Sequence, residues 1–100
     1  MLKKELIELC LLSLLAQRDW YGYEMLSRVH SAFPDTNESV VYALLRGLNK
    51  EGCAETYQGQ TSAGPVRKYY RLTAGGQERF QALLTQWRQL AEAMKAMGVE

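Results

Sequence analysis

"SVVYALLRGLNKEG", residues 39–52, carries apolar side chains at Val41, Leu44, Leu45 and Leu48, offsets 0, 3, 4 and 7 along one helical face. Gly52 follows at the place where a left-handed residue ordinarily closes a helix. The opposite face holds Ser39, Tyr42, Ala43, Arg46, Asn49 and Lys50, with no acid before Glu51. Such a face is either plainly solvated or built for something to dock against. The segments on either side decide between the two.

Upstream, "LKKELIELCLLSLLAQ" at 2–17 is apolar on most sides after its first turn, as in a helix buried nearly all round. "RDWYGYEMLSRVHSAF" at 18–33 begins a second helix, with Asp19 as its candidate N-cap and positions 23, 26, 29 and 33 as its inward stripe. Pro34 ends it, because the residue before a proline is pushed out of the helical region. "DTNES" makes a turn, and Asn37 is placed to cap the third helix, the one quoted first. Downstream the period changes. "CAETYQG" and "VRKYYRLT" are short and rich in Thr, Tyr and Val, separated by the turn "QTSAGP" at 60–65. They predict a two-stranded hairpin. In the second strand Tyr70 and Leu72 alternate with Arg67, Tyr69 and Arg71, so one side is largely cationic. Tyr70 should face the core and Tyr69 should face out beside Arg67 and Lys68.

Thr73 can cap a last helix, whose first turn is weakened by Gly75 and Gly76. Phe80, Leu84, Trp87, Ala91 and Met94 then recur at spacings of 4, 3, 4 and 3, with Leu83, Leu90 and Met97 beside them, a coiled-coil-like seam. Residues 73–97 would span roughly 37 Å at 1.5 Å per residue, more than so small a core can cover. The distal stripe predicts a partner, most economically a second copy of the chain joined through Leu83, Trp87, Leu90 and Met94.

The bulk numbers narrow the classes. One hundred residues, 47% hydrophobic and 23% charged, make one ordinary globular unit rather than a disordered chain. No apolar run is long enough for a membrane span, and Glu5 and Glu8 interrupt what would be a signal-peptide core. Cys10 and Cys53 lack metal spacing and are read as buried thiols of a cytoplasmic protein. The apolar neighbours of Cys10 argue against a redox sensor. The net charge of +1 is uninformative by itself, but residues 39–72 carry five basic and two acidic side chains while the rest is net acidic. That local positive field acts on anions within about 10 Å at 0.1 M salt.

Helix, helix, helix, hairpin, long helix is the layout of a winged helix-turn-helix followed by a dimer arm. The fold class is mainly α with a small β-hairpin, with a DNA-binding unit at 1–72 and a dimerisation helix at 73–100. In that layout the third helix enters the major groove and the wing touches the flanking backbone. Ser39, Ala43, Arg46 and Lys50 share one face, with Tyr42 beside them. Small residues at the front let the helix approach base edges, and Arg46 and Lys50 can reach phosphate or guanine. The basic hairpin favours docking over a solvated face.

Three stretches carry a more specific signal: "GYEML" at 22–26, "VYALLRGLNKEG" at 41–52 and "GPVRKYYRLTAGG" at 64–76. They resemble the PadR family of transcriptional regulators. That family shows a Gly-Tyr-Glu motif opening the second helix, a Tyr-x-x-Leu-x-x-Leu recognition helix, a Lys-Tyr-Tyr-x-Leu-Thr strand and a long C-terminal helix. The resemblance spans nearly the whole chain, and residues 67–73 are its most specific part. It implies a homodimeric DNA-binding repressor on a pseudo-palindromic operator, with one dimerisation helix and no separate effector domain. The chain has Ser39, Ala43 and Gly47 where the family often has a small residue or glycine, a proline and a second arginine.

The residues expected to contact double-stranded DNA are Tyr23, Ser39, Tyr42, Ala43, Arg46, Lys50, Arg67, Lys68 and Tyr69. Trp87 has two readings: packing of the long helix, or, by resemblance to multidrug-responsive members, one wall of a pocket for a small apolar effector. Trp20 is read as core, and His30, the single histidine, as structural or solvated. The sequence offers no phosphate loop, nucleophile–base pair or metal cluster, so neither an enzyme nor a cofactor is expected. The alternative function is a winged-helix module that binds a protein through its long helix and leaves DNA alone.

Overall fold

Helix α1 (Lys3–Gln17) is the hub of the molecule. Its buried residues Ile7, Leu9, Leu11, Leu12, Leu14 and Leu15 point in several directions, which is possible because three other helices and a strand pack around it. The structure, a computed structural model, describes residues 1–60 and 64–100. The remaining elements are β1 (Trp20–Tyr21), α2 (Gly22–Ala32), α3 (Glu38–Lys50), β2 (Ala54–Gln60), β3 (Val66–Leu72) and α4 (Ala74–Ala96). This is the winged helix-turn-helix order, followed by the long helix. The middle of the turn expected at 60–65 lies outside the described residues.

The four apolar positions of α3, Val41, Leu44, Leu45 and Leu48, are all buried, so the periodicity identified the core face. Asn37 stands at the N-cap of α3, although its side chain makes no capping hydrogen bond. The turn before α3 is pinned from α2: His30 Nε2 donates to the carbonyl of Thr36 at 2.6 Å, a structural role for the single histidine. Trp20 is buried, and its indole N–H donates to the Leu14 carbonyl at 2.8 Å.

Four expectations are corrected. The sheet has three strands, ordered β1-β3-β2 and antiparallel throughout, because Trp20 and Tyr21 pair with Tyr70 and Tyr69. Asp19 therefore precedes a strand and does not cap α2. The helix begins at Gly22, and the carboxylate of Glu24 accepts the N–H of Tyr21 at 3.2 Å in place of a cap side chain. Tyr23 does not belong to the inward stripe of α2: it is 62% exposed, and Met25 takes the buried place beside Leu26 and Val29. Finally, Leu83 is not part of a free stripe. At 1% exposure it belongs to the core of its own chain, because the first half of α4 lies against α1. Arg79 fixes the same contact through two hydrogen bonds to the Glu8 carboxylate, at 2.8 and 3.3 Å.

Beyond Leu84 helix α4 leaves its own core. Trp87 is 43% exposed, and Leu90, Met94 and Met97 are exposed as well. Among the described residues no helix is long and apolar enough to cross a membrane.

Candidate nucleic-acid interface

On α3 the outward face is continuous. Ser39, Ala43, Arg46, Asn49 and Lys50 are exposed, and Tyr42 is half-buried at its edge. Tyr42 leans onto the start of α2, where a Cβ on Gly22 would lie 3.1 Å from its ring and 3.7 Å from the ring of Tyr70. The glycine of the Gly-Tyr-Glu motif thus makes room for a tyrosine of α3, and the glutamate closes the N-terminus of α2. Burial, helped by the Glu38 carboxylate, pushes the Tyr42 phenol above its usual range and keeps it a neutral hydrogen-bonding group. The middle residue of the motif, Tyr23, projects into solvent. With Tyr21, Tyr42, Arg67, Lys68 and Tyr70 it lines a hollow of about 310 Å³ between α2, α3 and the wing.

Strand β3 divides its side chains between two faces, as a pleated strand must. Lys68 and Tyr70 share one, and Lys68 Nζ lies 5.6 Å from the Tyr70 ring. This is the side that meets Tyr42. Arg67, Tyr69 and Arg71 share the other. There Tyr69 stacks on Tyr57 with ring centres 5.6 Å apart and meets Tyr21 edge-on at 5.8 Å. Arg67 lies 4.8 Å from the Tyr21 ring and Arg71 4.9 Å from that of Tyr57, both within cation–π range. Arg71 also pairs with Glu55 at 2.9 Å. The hydroxyl of Tyr57 donates to Asp19 at 2.6 Å, a bond that raises the phenol's pKa and ties the wing to the segment before β1. Lys68 therefore does not stand beside Tyr69, as the sequence reading had it.

Sequence reasoning missed Tyr21, Tyr57 and Asp19 as parts of this wing. In the structure Tyr57 pairs with Tyr69 and Gly59 with Arg67. A Cβ on Gly59 would lie 2.6 Å from the Tyr69 ring, so that ring lies flat over the glycine. Without the register none of this is visible.

A second concavity of about 610 Å³ runs between α1, α2 and α4, lined by Leu6, Cys10, Phe33, Phe80, Leu84 and Trp87 among others. Cys10 is half-buried on its wall, and burial pushes its thiol pKa up, away from the reactive thiolate.

The Transcriptional regulator PadR-like family model matches residues 11–82, from the middle of α1 through the buried root of α4. The chain belongs to the PadR-like family of transcriptional regulators. An uncharacterised protein of Lysinibacillus sphaericus is 34% identical over 86 residues, covering 82% of this chain and 78% of that one. Among solved structures, a PadR-like transcriptional regulator from Bacillus cereus superposes with a TM-score of 0.86 at 29% identity, covering 94% of this chain and 92% of that one. A PadR family transcription regulator from Clostridium difficile gives 0.81 at 27% identity, with 91% and 96% covered. In this PadR-like regulator the segments quoted for the resemblance occupy the start of α2, helix α3 and the β3–α4 junction.

Proposed function

We propose that this PadR-like regulator is a cytoplasmic, homodimeric repressor that binds a pseudo-palindromic operator, laying α3 in the major groove and the wing along the flanking backbone. One observation carries the reading. The exposed face bearing Ser39, Ala43, Arg46 and Lys50 has Tyr42 at its edge, and Tyr42 lines one hollow together with Arg67 and Lys68 of the wing, so the small-residue face of α3 and the cations of the wing lie on either side of one tyrosine. Tyr23 and Tyr42 supply hydroxyls between them, suited to phosphate oxygens. Arg67, which also lines the hollow, and Tyr69 approach DNA from the wing. Residues 1–72 read the operator and residues 73–100 join the two copies, through Trp87, Leu90 and Met94.

The groove under Trp87 supports a further part of the proposal. Its volume lies within the range of small-molecule sites. A small apolar effector between Trp87 and its symmetry mate would change dimer geometry and release the operator.

The test is anisotropy titration of DNA from upstream of the chain's own coding sequence. Arg46→Ala should keep the helical circular dichroism of the parent chain and lose about 1–3 kcal/mol of operator binding, with relaxed preference at one base position. Undiminished binding by Arg46→Ala would remove α3 as the reading element. No binding by the parent chain would favour the protein-interaction module.

A further inference from the structure

Helix α3 ends and helix α4 begins at one shared joint, made of backbone. The end of α3 is a Schellman turn: Cys53 N–H donates to the Leu48 carbonyl at 2.8 Å and Gly52 N–H to that of Asn49 at 3.2 Å. Gly52 supplies the left-handed conformation the turn requires, at φ +77°. The carbonyls of Gly52 and Cys53 then point at the start of α4. Thr73 Oγ1 donates to the Gly52 carbonyl at 2.5 Å and accepts the N–H of Gly76 at 3.0 Å. Thr73 N–H donates to the Cys53 carbonyl at 3.1 Å. One threonine thus uses its hydroxyl as donor and acceptor at once, capping α4 and gripping the end of α3.

At Gly76 the approach is closer than a side chain permits, and at Gly75 it is tight. A Cβ on Gly76 would lie 1.9 Å from the Cys53 carbonyl oxygen, and one on Gly75 would lie 3.2 Å from that of Gly52. Neither glycine has a positive φ, so their smallness serves the contact and not the local conformation. This overrides the cost of two glycines in the first turn of a helix. Farther along, the Arg79–Glu8 pair and the buried Leu83 hold α4 against α1. Hydrogen bonds thus join the end of the helix proposed to read DNA directly to the start of the helix proposed to join the copies.

We infer that the Thr73–Gly76 segment, seated on the Gly52–Cys53 turn, is a positioning element that fixes the separation of the two α3 helices and thereby selects the spacing between operator half-sites. The inference rests on the proposed dimeric DNA binding. Its leverage is geometric. Helix α3 has 13 residues, about 20 Å at 1.5 Å each. A tilt of about 10° at the joint moves its far end by about 3.5 Å, close to one base-pair step in a duplex repeating every 34–36 Å per turn.

The experiment uses the full chain and duplexes carrying two copies of a half-site selected from random DNA, with the centre lengthened or shortened by one and two base pairs. The parent chain should dimerise and favour one spacing. Thr73→Val keeps the branched shape and loses the hydroxyl. It should dimerise normally and bind an isolated half-site as the parent does, while its preference for the favoured spacing falls about fivefold, the scale of one lost capping bond. Thr73→Ser should restore the preference. Gly75→Ala strengthens the helix but crowds the Gly52 carbonyl, so it should shift the preferred spacing without lowering the melting temperature. It also decides the matter if Thr73→Val does not fold. A stable Gly75→Ala dimer and a folded Thr73→Val dimer that both keep the parent's spacing preference would overturn the inference. A parent chain that shows no dimer, or no binding to paired half-sites, would instead overturn the dimeric DNA-binding reading, and the inference with it.

Discussion

Successive side chains of β3 leave opposite faces of the sheet, so Arg67 and Lys68, adjacent in sequence, lie by different rings although both line the hollow. Lys68 is exposed on the side of α3, near Tyr70, and lines the hollow. The guanidinium of Arg67 rests on the Tyr21 ring, a contact worth about 0.5–1 kcal/mol at an exposed site. On the proposed reading Lys68 is the freer cation for a phosphate. Lys68→Ala should lower the slope of log affinity against log salt by about 1. Arg67→Ala should lower it less and should also lower the melting temperature slightly, because it removes a support of the tyrosine stack. Salt titrations of both variants on one duplex make the comparison, and equal changes in slope would place both side chains on the backbone. The expectation that Tyr69 faces out beside both Arg67 and Lys68 takes neighbours in sequence for neighbours in space. Strand parity alone, read strictly, already separates odd from even positions. What the sequence could not supply was Tyr57 opposite Tyr69, since the register is set by pairing across a turn of unknown length.

At the scale of elements, α3 and α4 differ in how far a local pattern could be followed. The stripe of α3 has one apolar face and one place to bury it, so periodicity was sufficient. The stripe of α4 serves two surfaces in succession: Phe80, Leu83 and Leu84 meet the chain's own core, while Trp87, Leu90 and Met94 emerge from it. Heptad spacing is the same on both sides of that change and cannot mark it. Strand β1 was invisible for a related reason, because two residues have no period and exist as a strand only through pairing with Tyr69 and Tyr70. The two halves of α4 should respond differently to substitution. Leu83→Ala opens a cavity in a filled core and should destabilise the fold by about 2–5 kcal/mol. Leu90→Glu touches no core of its own chain and should leave the monomer's helical content intact while abolishing self-association. Urea unfolding and sedimentation velocity on both variants check this. If Leu90→Glu unfolds the chain outright, the fold requires the partner, as in obligate dimers.

For the whole molecule, the positive charge is local to residues 39–72 and the net charge is only +1, so on the proposed reading affinity comes from a small number of well-placed contacts used twice. On that same reading, two reading units joined through α4 would meet their half-sites together, and linkage of this kind raises overall affinity by about 10²–10⁴ over a single unit without any new contact. The joint between α3 and α4 matters here because a loose connection would spread the second unit over many positions and forfeit most of that gain. Dimerisation and operator affinity should therefore fail together, while half-site recognition survives. Leu90→Glu should lose about 100-fold or more on a paired operator, bind a single half-site as the parent chain does, and show about half the parent's salt slope, since half the phosphate contacts remain. Titrating both proteins against paired and single half-sites at several salt concentrations separates these quantities. A monomeric Leu90→Glu chain that still held the paired operator at parental affinity would mean that each copy binds independently, and that the long helix serves some purpose other than setting the reach of the DNA-reading units.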